Sequence, residues 1–191
     1  MHRKSPGRFK FTLKDDYDFN YSVVIDVLYL EGRPVLQVVD SSTRFQAARF
    51  LKDMSAIVAW ETLKLCWIDT YLGPPDIVVY DAGKNFALAE FRRIAKAISI
   101  DIKEVPVEAH NSVGLVERYY ALLRRAFEIF REDGFNKEIA LQIAVKAVNN
   151  SAGLDSLVLT LLVFNTYPRI VDQSLLSLSI ATRAESLRKA T

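Results

Sequence analysis

The stretch from Ser22 to Asp40, SVVIDVLYLEGRPVLQVVD, decides the fold of this chain. Its first nine residues are rich in β-branched and aromatic side chains, which predicts a strand over Ser22–Leu30. The four residues EGRP (Glu31–Pro34) predict a turn, because glycine and proline favour turn conformations. Val35–Asp40 then predicts the returning strand of a hairpin.

Two carboxylates lie in this hairpin. Asp26 stands inside the apolar run VVIDVLYL, where a lone carboxylate costs several kcal/mol unless something compensates for it. It either occupies a surface-facing edge position or holds a bound cation. If EGRP is a four-residue loop, Leu30 pairs with Val35, Asp26 faces Val39, and Asp40 points to the opposite side. We interpret Asp40 as a strand-end residue that opens the DSST turn.

The pattern continues away from the hairpin in the order β-β-β-α-β-α-β-α-α. Further strands are predicted at Arg44–Leu51, Asp76–Tyr80 and Asp101–Val107, and helices at Ser55–Leu72, Ala87–Ser99, Leu115–Asp133 and Lys137–Gly153. HNSVG (His110–Gly114) is predicted to be a loop. Three antiparallel strands followed by two strands reached through helices imply a mixed five-stranded sheet with helices on both faces, an α/β fold.

Composition bounds the function classes. The 191 residues suit one folded core at 21–153, with an exposed basic lead-in at 1–20 and a C-terminal extension containing a partial helix at 154–191. The net charge of +2 permits a nucleic-acid partner without arguing for one. One cysteine and two histidines exclude an internal disulfide and a zinc finger, and favour a reducing compartment, nuclear or cytoplasmic. The apolar run LVLTLLVF is too short to span a bilayer, so no membrane partner is expected.

Two further carboxylates follow strand and loop signals. The stretch IVVYDAGKNF (Ile77–Phe86) runs from a buried-looking strand into Asp81, and Glu117 comes soon after Gly114, within the first turn of the predicted long helix. Each has an ordinary explanation, since aspartate and glycine form turns and acids are favoured at a helix N-terminus. The spacing adds weight, because 35 residues intervene between Asp81 and Glu117.

With these stretches in order, the chain resembles the catalytic core of retroviral-type integrases and related transposases, which share the ribonuclease-H-like fold. The matching stretches are VVIDVLYLEGRPVLQVVDSSTRFQAARF, DIVVYDAGKNF and HNSVGLVERYYALLRR, covering roughly residues 22–131. WETL, YLGPPD and VPVEAHNS are most similar to the integrase regions of LTR retrotransposon polyproteins, particularly fungal ones.

The resemblance implies a three-carboxylate site that holds two Mg²⁺ or Mn²⁺ ions. Asp26 would contact both ions, and Asp81 and Glu117 one each. Hard divalent cations prefer carboxylate and water oxygens, and a metal pair stabilises the attacking and leaving oxygens of phosphodiester transfer. The implied activity is end processing and strand transfer, which insert element DNA into host DNA, with element ends and target DNA as partners and a homo-oligomer as the active form.

Basic and amide residues around this site are candidates for DNA contact. The alternatives are solvated loop or helix positions and, for Asn111, a capping role. The candidates are Lys84, Asn85, His110, Asn111, Arg118, Arg124 and Arg125.

Departures from the family pattern leave other functions open. Ala82 stands where asparagine is usual, and Leu159 and Asn165 stand where proline and glycine are common. A decayed or domesticated core that only binds nucleic acid is therefore the second hypothesis. A ribonuclease-H-like nuclease acting on RNA in hybrids is the third, and the 35-residue spacing favours the integrase over it.

Overall fold

The computed structural model describes residues 18–81, 89–105, 110–151 and 158–166. The element order confirms the predicted succession and adds a short final helix. The strands are β1 (Ser22–Leu30), β2 (Arg33–Asp40), β3 (Gln46–Phe50), β4 (Ile77–Asp81) and β5 (Asp101–Val105). The helices are α1 (Ala56–Leu63), which continues into a π-helical turn (Lys64–Ile68), then α2 (Ala89–Ala97), α3 (His110–Glu132), α4 (Lys137–Asn150) and α5 (Leu159–Phe164).

The five strands form one mixed sheet in the order β3-β2-β1-β4-β5. The first three strands are antiparallel neighbours, and β4 and β5 add to β1 in parallel. Parallel neighbours require crossover connections, which the helices between β3 and β4 and between β4 and β5 supply. The predicted fold class, a mixed five-stranded sheet flanked by helices, is confirmed.

The hairpin turn is shorter than predicted. Only Glu31 and Gly32 form the turn, with φ of 46° and 74°, and Leu30 pairs directly with Arg33. Positive φ at both central positions is the pattern of a type I′ turn, whose twist matches that of the flanking strands. The predicted four-residue EGRP loop is therefore wrong.

Pro34 misled the prediction because proline usually marks a turn or the end of a strand. Here it lies inside β2, opposite Tyr29. Antiparallel pairs alternate between hydrogen-bonded and non-bonded positions, and the pair next to the one that closes a two-residue turn is non-bonded. The missing N–H of Pro34 therefore costs no hydrogen bond to β1, and its carbonyl accepts one from Leu51 N at 2.9 Å on the other side.

The shorter turn changes the register by two residues. Asp26 pairs with Gln37, not with Val39 as predicted. Because strand side chains alternate with a period of two, a two-residue shift keeps every residue on its predicted face. Asp26 and Asp40 therefore do lie on opposite faces of the sheet, as expected.

Each face of the sheet carries its own core. We call the side covered by α1, the π-helical turn, α2 and Leu159 of α5 the α1 face, and the side covered by α3 and α4 the α3 face. β1 serves both, since Val23, Ile25 and Val27 join the first cluster while Leu28 and Leu30 join the second.

The long helix α3 begins at His110, so the predicted HNSVG loop is wrong. Asparagine, serine and glycine favour turns when taken singly. Once a helix is nucleated, however, each added residue gains a backbone hydrogen bond. The five residues His110–Gly114 are therefore helical as the first part of the 23-residue helix α3.

The packed part of the chain begins before residue 21. Asn20, the last residue of the predicted exposed lead-in, is buried. Its side chain donates to Gly73 O at 3.1 Å and accepts from Trp67 Nε1 at 2.7 Å, so it ties the start of β1 to the π-helical turn. Residues 1–17 lie outside the described residues.

Candidate metal and nucleic-acid site

Asp26 lies in the middle of the central strand β1 and is half-buried. Leu28 and Leu30 belong to the α3-face core, so the alternation of the strand places Asp26 on the α3 face as well. Its Oδ1 accepts a hydrogen bond from Val27 N at 2.6 Å. The predicted edge position is excluded, because β1 has neighbours on both sides.

Asp81 is the last residue of β4, next to β1. Three residue pairs join these parallel strands, from Ser22–Ile77 to Val24–Val79, at a constant offset of 55 residues. Continued by two residues, this offset sets position 81 level with Asp26. The alternation also assigns position 81 to the same face as Val79, opposite Tyr80 in the α1-face core. The side chain of Asp81 lies outside the described part of the chain.

Glu117 lies in α3, but about two turns after its start and not in the first turn, because the helix already begins at His110. A dipole effect at the N-terminus therefore does not explain this acid, since that effect fades within the first turn. Its side chain is likewise not among those described.

Two contacts fix how α3 runs over β1. Arg131 Nε bonds Glu31 Oε1 at 2.7 Å, just past the end of β1, and Arg124 lines a shallow cavity with Tyr29 and Leu30. Arg131, Arg124 and Glu117 follow at seven-residue steps, which lie on one stripe of a helix. From Arg131 back to Arg124 these contacts move from Glu31 to Leu30 and Tyr29, so the N-terminal part of α3, which carries Glu117, lies towards the middle of β1.

The donors available at this position fit a hard cation. Asp26 offers carboxylate oxygens, the neighbouring strand β4 ends on Asp81, and α3, which packs on the same face as Asp26, carries Glu117. Mg²⁺ and Mn²⁺ favour oxygen ligands of this kind. Among the side chains that the structure describes, no three acids, histidines or cysteines gather as a metal site, and that set does not contain the side chains of Asp81 and Glu117.

Asp40 is the opposite case, a buried carboxylate that the fold itself satisfies. Its Oδ1 accepts from Asn20 N at 2.8 Å. Its Oδ2 accepts from the backbone N–H and the hydroxyl of both Ser42 and Thr43, at 2.6–3.2 Å. The interpretation of Asp40 as the residue that opens the DSST turn is thus supported by its hydrogen bonds.

Three buried amides on the α3 face escaped the sequence analysis: Gln37 of β2, Gln46 of β3 and Asn149 of α4. Gln37 Nε2 donates to Gln46 Oε1 at 2.5 Å, while Gln37 Oε1 and Gln46 Nε2 have no partner. A buried polar atom without a partner costs about 1–3 kcal/mol. The available signal was an amide inside the apolar run VLQVV, the same kind of anomaly that singled out Asp26.

Asn149 closes the edge of the sheet. Its Oδ1 accepts from Gln46 N at 3.0 Å, and its Nδ2 donates to Gln46 O at 2.7 Å. β3 is an edge strand, so the backbone N–H and C=O of Gln46 that face away from β2 have no neighbouring strand to bind. The side-chain amide therefore takes the place of a sixth strand at this residue.

The predicted DNA-contacting residues fall into three groups. Arg124 and Arg125 are exposed on α3. His110, Asn111 and Arg118 lie in the first part of α3, where only the course of the helix is described. Lys84 and Asn85 lie outside the described residues.

Other chemistries find little support in the described parts of the molecule. Burial raises the pKa of the Cys66 thiol to about 12, so this cysteine stays protonated at neutral pH and is a poor nucleophile. None of the described helices has the length and apolar character needed to cross a membrane.

Solved structures of integrases share this fold. The catalytic core domain of BIV integrase matches with a TM-score of 0.67 and 16% identity, covering 76% of this chain and 95% of that chain. A chain from the structure of the simian T-cell lymphotropic virus intasome in complex with PP2A regulatory subunit B56 gamma matches with a TM-score of 0.67 and 19% identity. There the match covers 82% of this chain and 59% of the other.

At these identities the likeness establishes the fold, which is the ribonuclease-H-like fold of integrase cores. No protein-family model matches the sequence, and no curated protein matches it either.

Proposed function

We propose that this chain is the catalytic core of a DNA integrase of the LTR-retrotransposon type, which joins element DNA to host DNA. One observation supports the proposal: the register between β1 and β4, continued by two residues beyond Val24–Val79, would pair Asp26 with Asp81, and Asp26 lies on the sheet face that α3 covers. The likeness of the whole sheet to retroviral integrase cores supports the same assignment.

Asp26, Asp81 and Glu117 hold two Mg²⁺ or Mn²⁺ ions in this proposal. When bound, such ions lower the pKa of an attacking water or hydroxyl and stabilise charge on the leaving oxygen. The chain's own contribution is orientation. The neighbouring strands β1 and β4 would hold the two aspartates, and α3, which covers this face of the sheet, would bring Glu117 towards them.

DNA is the partner that this site requires. Arg124 and Arg125 are exposed on the same helix as Glu117, so their guanidinium groups are available to phosphate oxygens. Arg118, His110, Asn111, Lys84 and Asn85 complete the proposed contact set on the basis of the family resemblance. The active form is proposed to be a homo-oligomer that holds the element ends and the target together.

The test is a strand-transfer assay on short duplex ends with Mg²⁺ or Mn²⁺. Asp26→Asn, Asp81→Asn and Glu117→Gln should each abolish joining while retaining the far-UV circular dichroism of the wild type. Glu132→Gln is a matched control, because it makes the same acid-to-amide change at an exposed position of the same helix. It should leave the joining rate unchanged.

Two outcomes would overturn the assignment. Full activity of Glu117→Gln would show that Glu117 is not the third ligand. A wild type that binds DNA but never joins it, with a melting temperature that no divalent cation shifts, would instead indicate the decayed core that acts only as a nucleic-acid-binding module.

A further inference from the structure

A row of buried polar groups crosses the α3 face from α4 to the central strand. Asn149 holds the backbone of Gln46, the side chain of Gln46 accepts from Gln37, and Gln37 is the cross-strand partner of Asp26. The first three side chains are at most 5% exposed. Apart from this row, the buried residues of the α3 face are apolar.

The row ends in an acceptor that has no donor. Gln37 Nε2 donates to Gln46 on β3, and Gln37 Oε1 is buried without a hydrogen bond to any residue that the structure describes. Directly paired residues of antiparallel strands hold their Cβ atoms about 5 Å apart, so the free end of the Gln37 amide lies within reach of the Asp26 carboxylate. An ionised carboxylate is also only an acceptor.

The Gln37 oxygen needs a donor, and the neighbouring carboxylate cannot supply one. A water molecule bound to a divalent cation supplies two strongly polarised protons, and residues around metal ligands commonly hold such waters or the ligands themselves. We propose that Gln37 is a positioning residue for the cation site: its Oε1 accepts a hydrogen bond from a water of the cation that Asp26 holds. This inference rests on the proposed function, and it adds a residue that is neither a metal ligand nor a DNA contact.

The amide pair also explains why Gln37 is oriented for this task. Gln46 fixes the nitrogen end of the Gln37 amide, and Asn149 in turn fixes the backbone of Gln46. The oxygen end of the amide is left without a hydrogen bond to any described residue. Asn149 of α4 is thus connected to Gln37 through the hydrogen bonds of Gln46.

The experiment compares cation affinity in two variants of the same amide pair. Gln37→Leu and Gln46→Leu each remove one member of the hydrogen bond and replace it with an apolar side chain of similar size. Mn²⁺ binding to the full chain is measured by calorimetry and by the EPR signal of free Mn²⁺, and unfolding by urea is measured in parallel.

Gln37→Leu should weaken Mn²⁺ binding about 10-fold, because it removes the accepting oxygen, while Gln46→Leu, which only frees the orientation of the Gln37 amide, should weaken it about 2- to 3-fold. Unfolding midpoints should shift in both variants, because both lose the shared hydrogen bond. If Gln37→Leu does not fold, Gln37→Met provides a more adaptable apolar replacement for the same comparison.

The outcomes separate this inference from the proposed function. If the wild type binds Mn²⁺ and Gln37→Leu binds it equally well, or if both variants lose the same affinity, the role of Gln37 is contradicted. The proposed function would be unaffected by either result. Absence of Mn²⁺ binding in the wild type would overturn the proposed function and this inference with it.

Discussion

Asp40 and Asp26 lie in one hairpin, on opposite faces, and the fold treats them differently. Asp40 is fully buried and accepts five hydrogen bonds from the turn that follows it and from Asn20. Asp26 is only half-buried, and its cross-strand neighbour Gln37 has a carbonyl oxygen without a donor. The hydrogen bonds of Asp40 give it a structural role, whereas the position of Asp26 beside a buried amide oxygen that has no donor among the described residues supports a role in the proposed cation site.

The faces that carry these acids differ in the same way. On the α1 face the sheet packs against aromatic side chains in edge-to-face contact, such as Trp60 with Phe91 and Phe45 with Tyr71. On the α3 face the apolar packing covers the hairpin end, and amides replace it towards Asp26. The buried groups of the α1 face named here are either apolar or fully hydrogen-bonded, as Asp40 is, whereas the α3 face holds two buried amide atoms that have no partner among the described residues.

The largest expected effect belongs to Asp40. Asp40→Ala leaves the N–H groups of Asn20, Ser42 and Thr43 without their acceptor, so it should lower the free energy of unfolding by about 4 kcal/mol. Asp26→Asn should lower it by less than about 1 kcal/mol. Urea unfolding of both variants, without divalent cations, makes the comparison. Equal destabilisation by the two changes would erase the distinction between a structural and a functional acid.

The polar end of the α3 face should also depend on Asn149. Asn149→Ala removes both partners of the Gln46 backbone at a buried position and should cost about 2 kcal/mol in urea unfolding. Asn150→Ala is the matched control, since the neighbouring amide accepts one hydrogen bond from Thr160 and should cost about half as much. A larger loss in Asn150→Ala would mean that α5, and not the edge of β3, holds this end of the molecule.

Loss of an exposed arginine should affect DNA affinity on the α3 face but not on the α1 face, and we expect this effect to be smaller than the losses of stability described above. Arg124→Gln or Arg125→Gln should weaken binding to duplex DNA about 3- to 10-fold. Each should also reduce the slope of log K against log salt concentration by about 0.9, the value for one lost phosphate contact. Arg93→Gln, an exposed arginine on α2 over the α1 face, is the control and should leave both quantities unchanged. Fluorescence anisotropy at several salt concentrations measures them. Equal losses in all three variants would indicate non-specific attraction only.

The smallest effect concerns the tip of the hairpin, where Glu31 forms ion pairs with Arg131 of α3 and Lys137 of α4. Hydrogen bonds from Arg131, and then Lys137, lower the pKa of Glu31 from its ordinary value of 4.5. A lowered folded-state pKa means that the stabilisation is present above the unfolded-state pKa and is lost as the pH falls through the folded-state pKa. The difference in melting temperature between the wild type and Glu31→Gln should therefore shrink from about pH 6 to about pH 3. A difference that grows on acidification would contradict this direction.

Local patterns in the sequence were enough for the element order, because β-branched runs and helical periodicity report on burial directly. They failed at the hairpin turn, where Pro34 signalled a loop although its missing N–H falls at a non-bonded position of the ladder. They failed again at HNSVG, where turn-forming residues continue a helix nucleated elsewhere. In both cases the conformation depends on residues elsewhere in the element or in a paired strand, and a short stretch of sequence does not include them.

The site was less accessible to sequence than the fold. Asp26 was identifiable because a charge in an apolar strand is conspicuous, but Gln37 differs from it only in lacking the charge. The use of Gln37 depends on its pairing with Asp26 and on the orientation that Gln46 imposes. Register and side-chain hydrogen bonds arise from the assembled sheet, so an isolated strand sequence does not reveal them.

The central claim is that Asp26, Asp81 and Glu117 hold cations on the α3 face while Asp40 does not. Crystals of the chain soaked in Mn²⁺ and measured at the manganese absorption edge test this most directly. We expect two anomalous peaks about 3.5–4 Å apart, one of them within about 2.2 Å of the Asp26 carboxylate, and both absent from Asp26→Asn crystals. A cation at Asp40, or Asp81 and Glu117 with their carboxylates turned away from Asp26 and no peak between them, would contradict it.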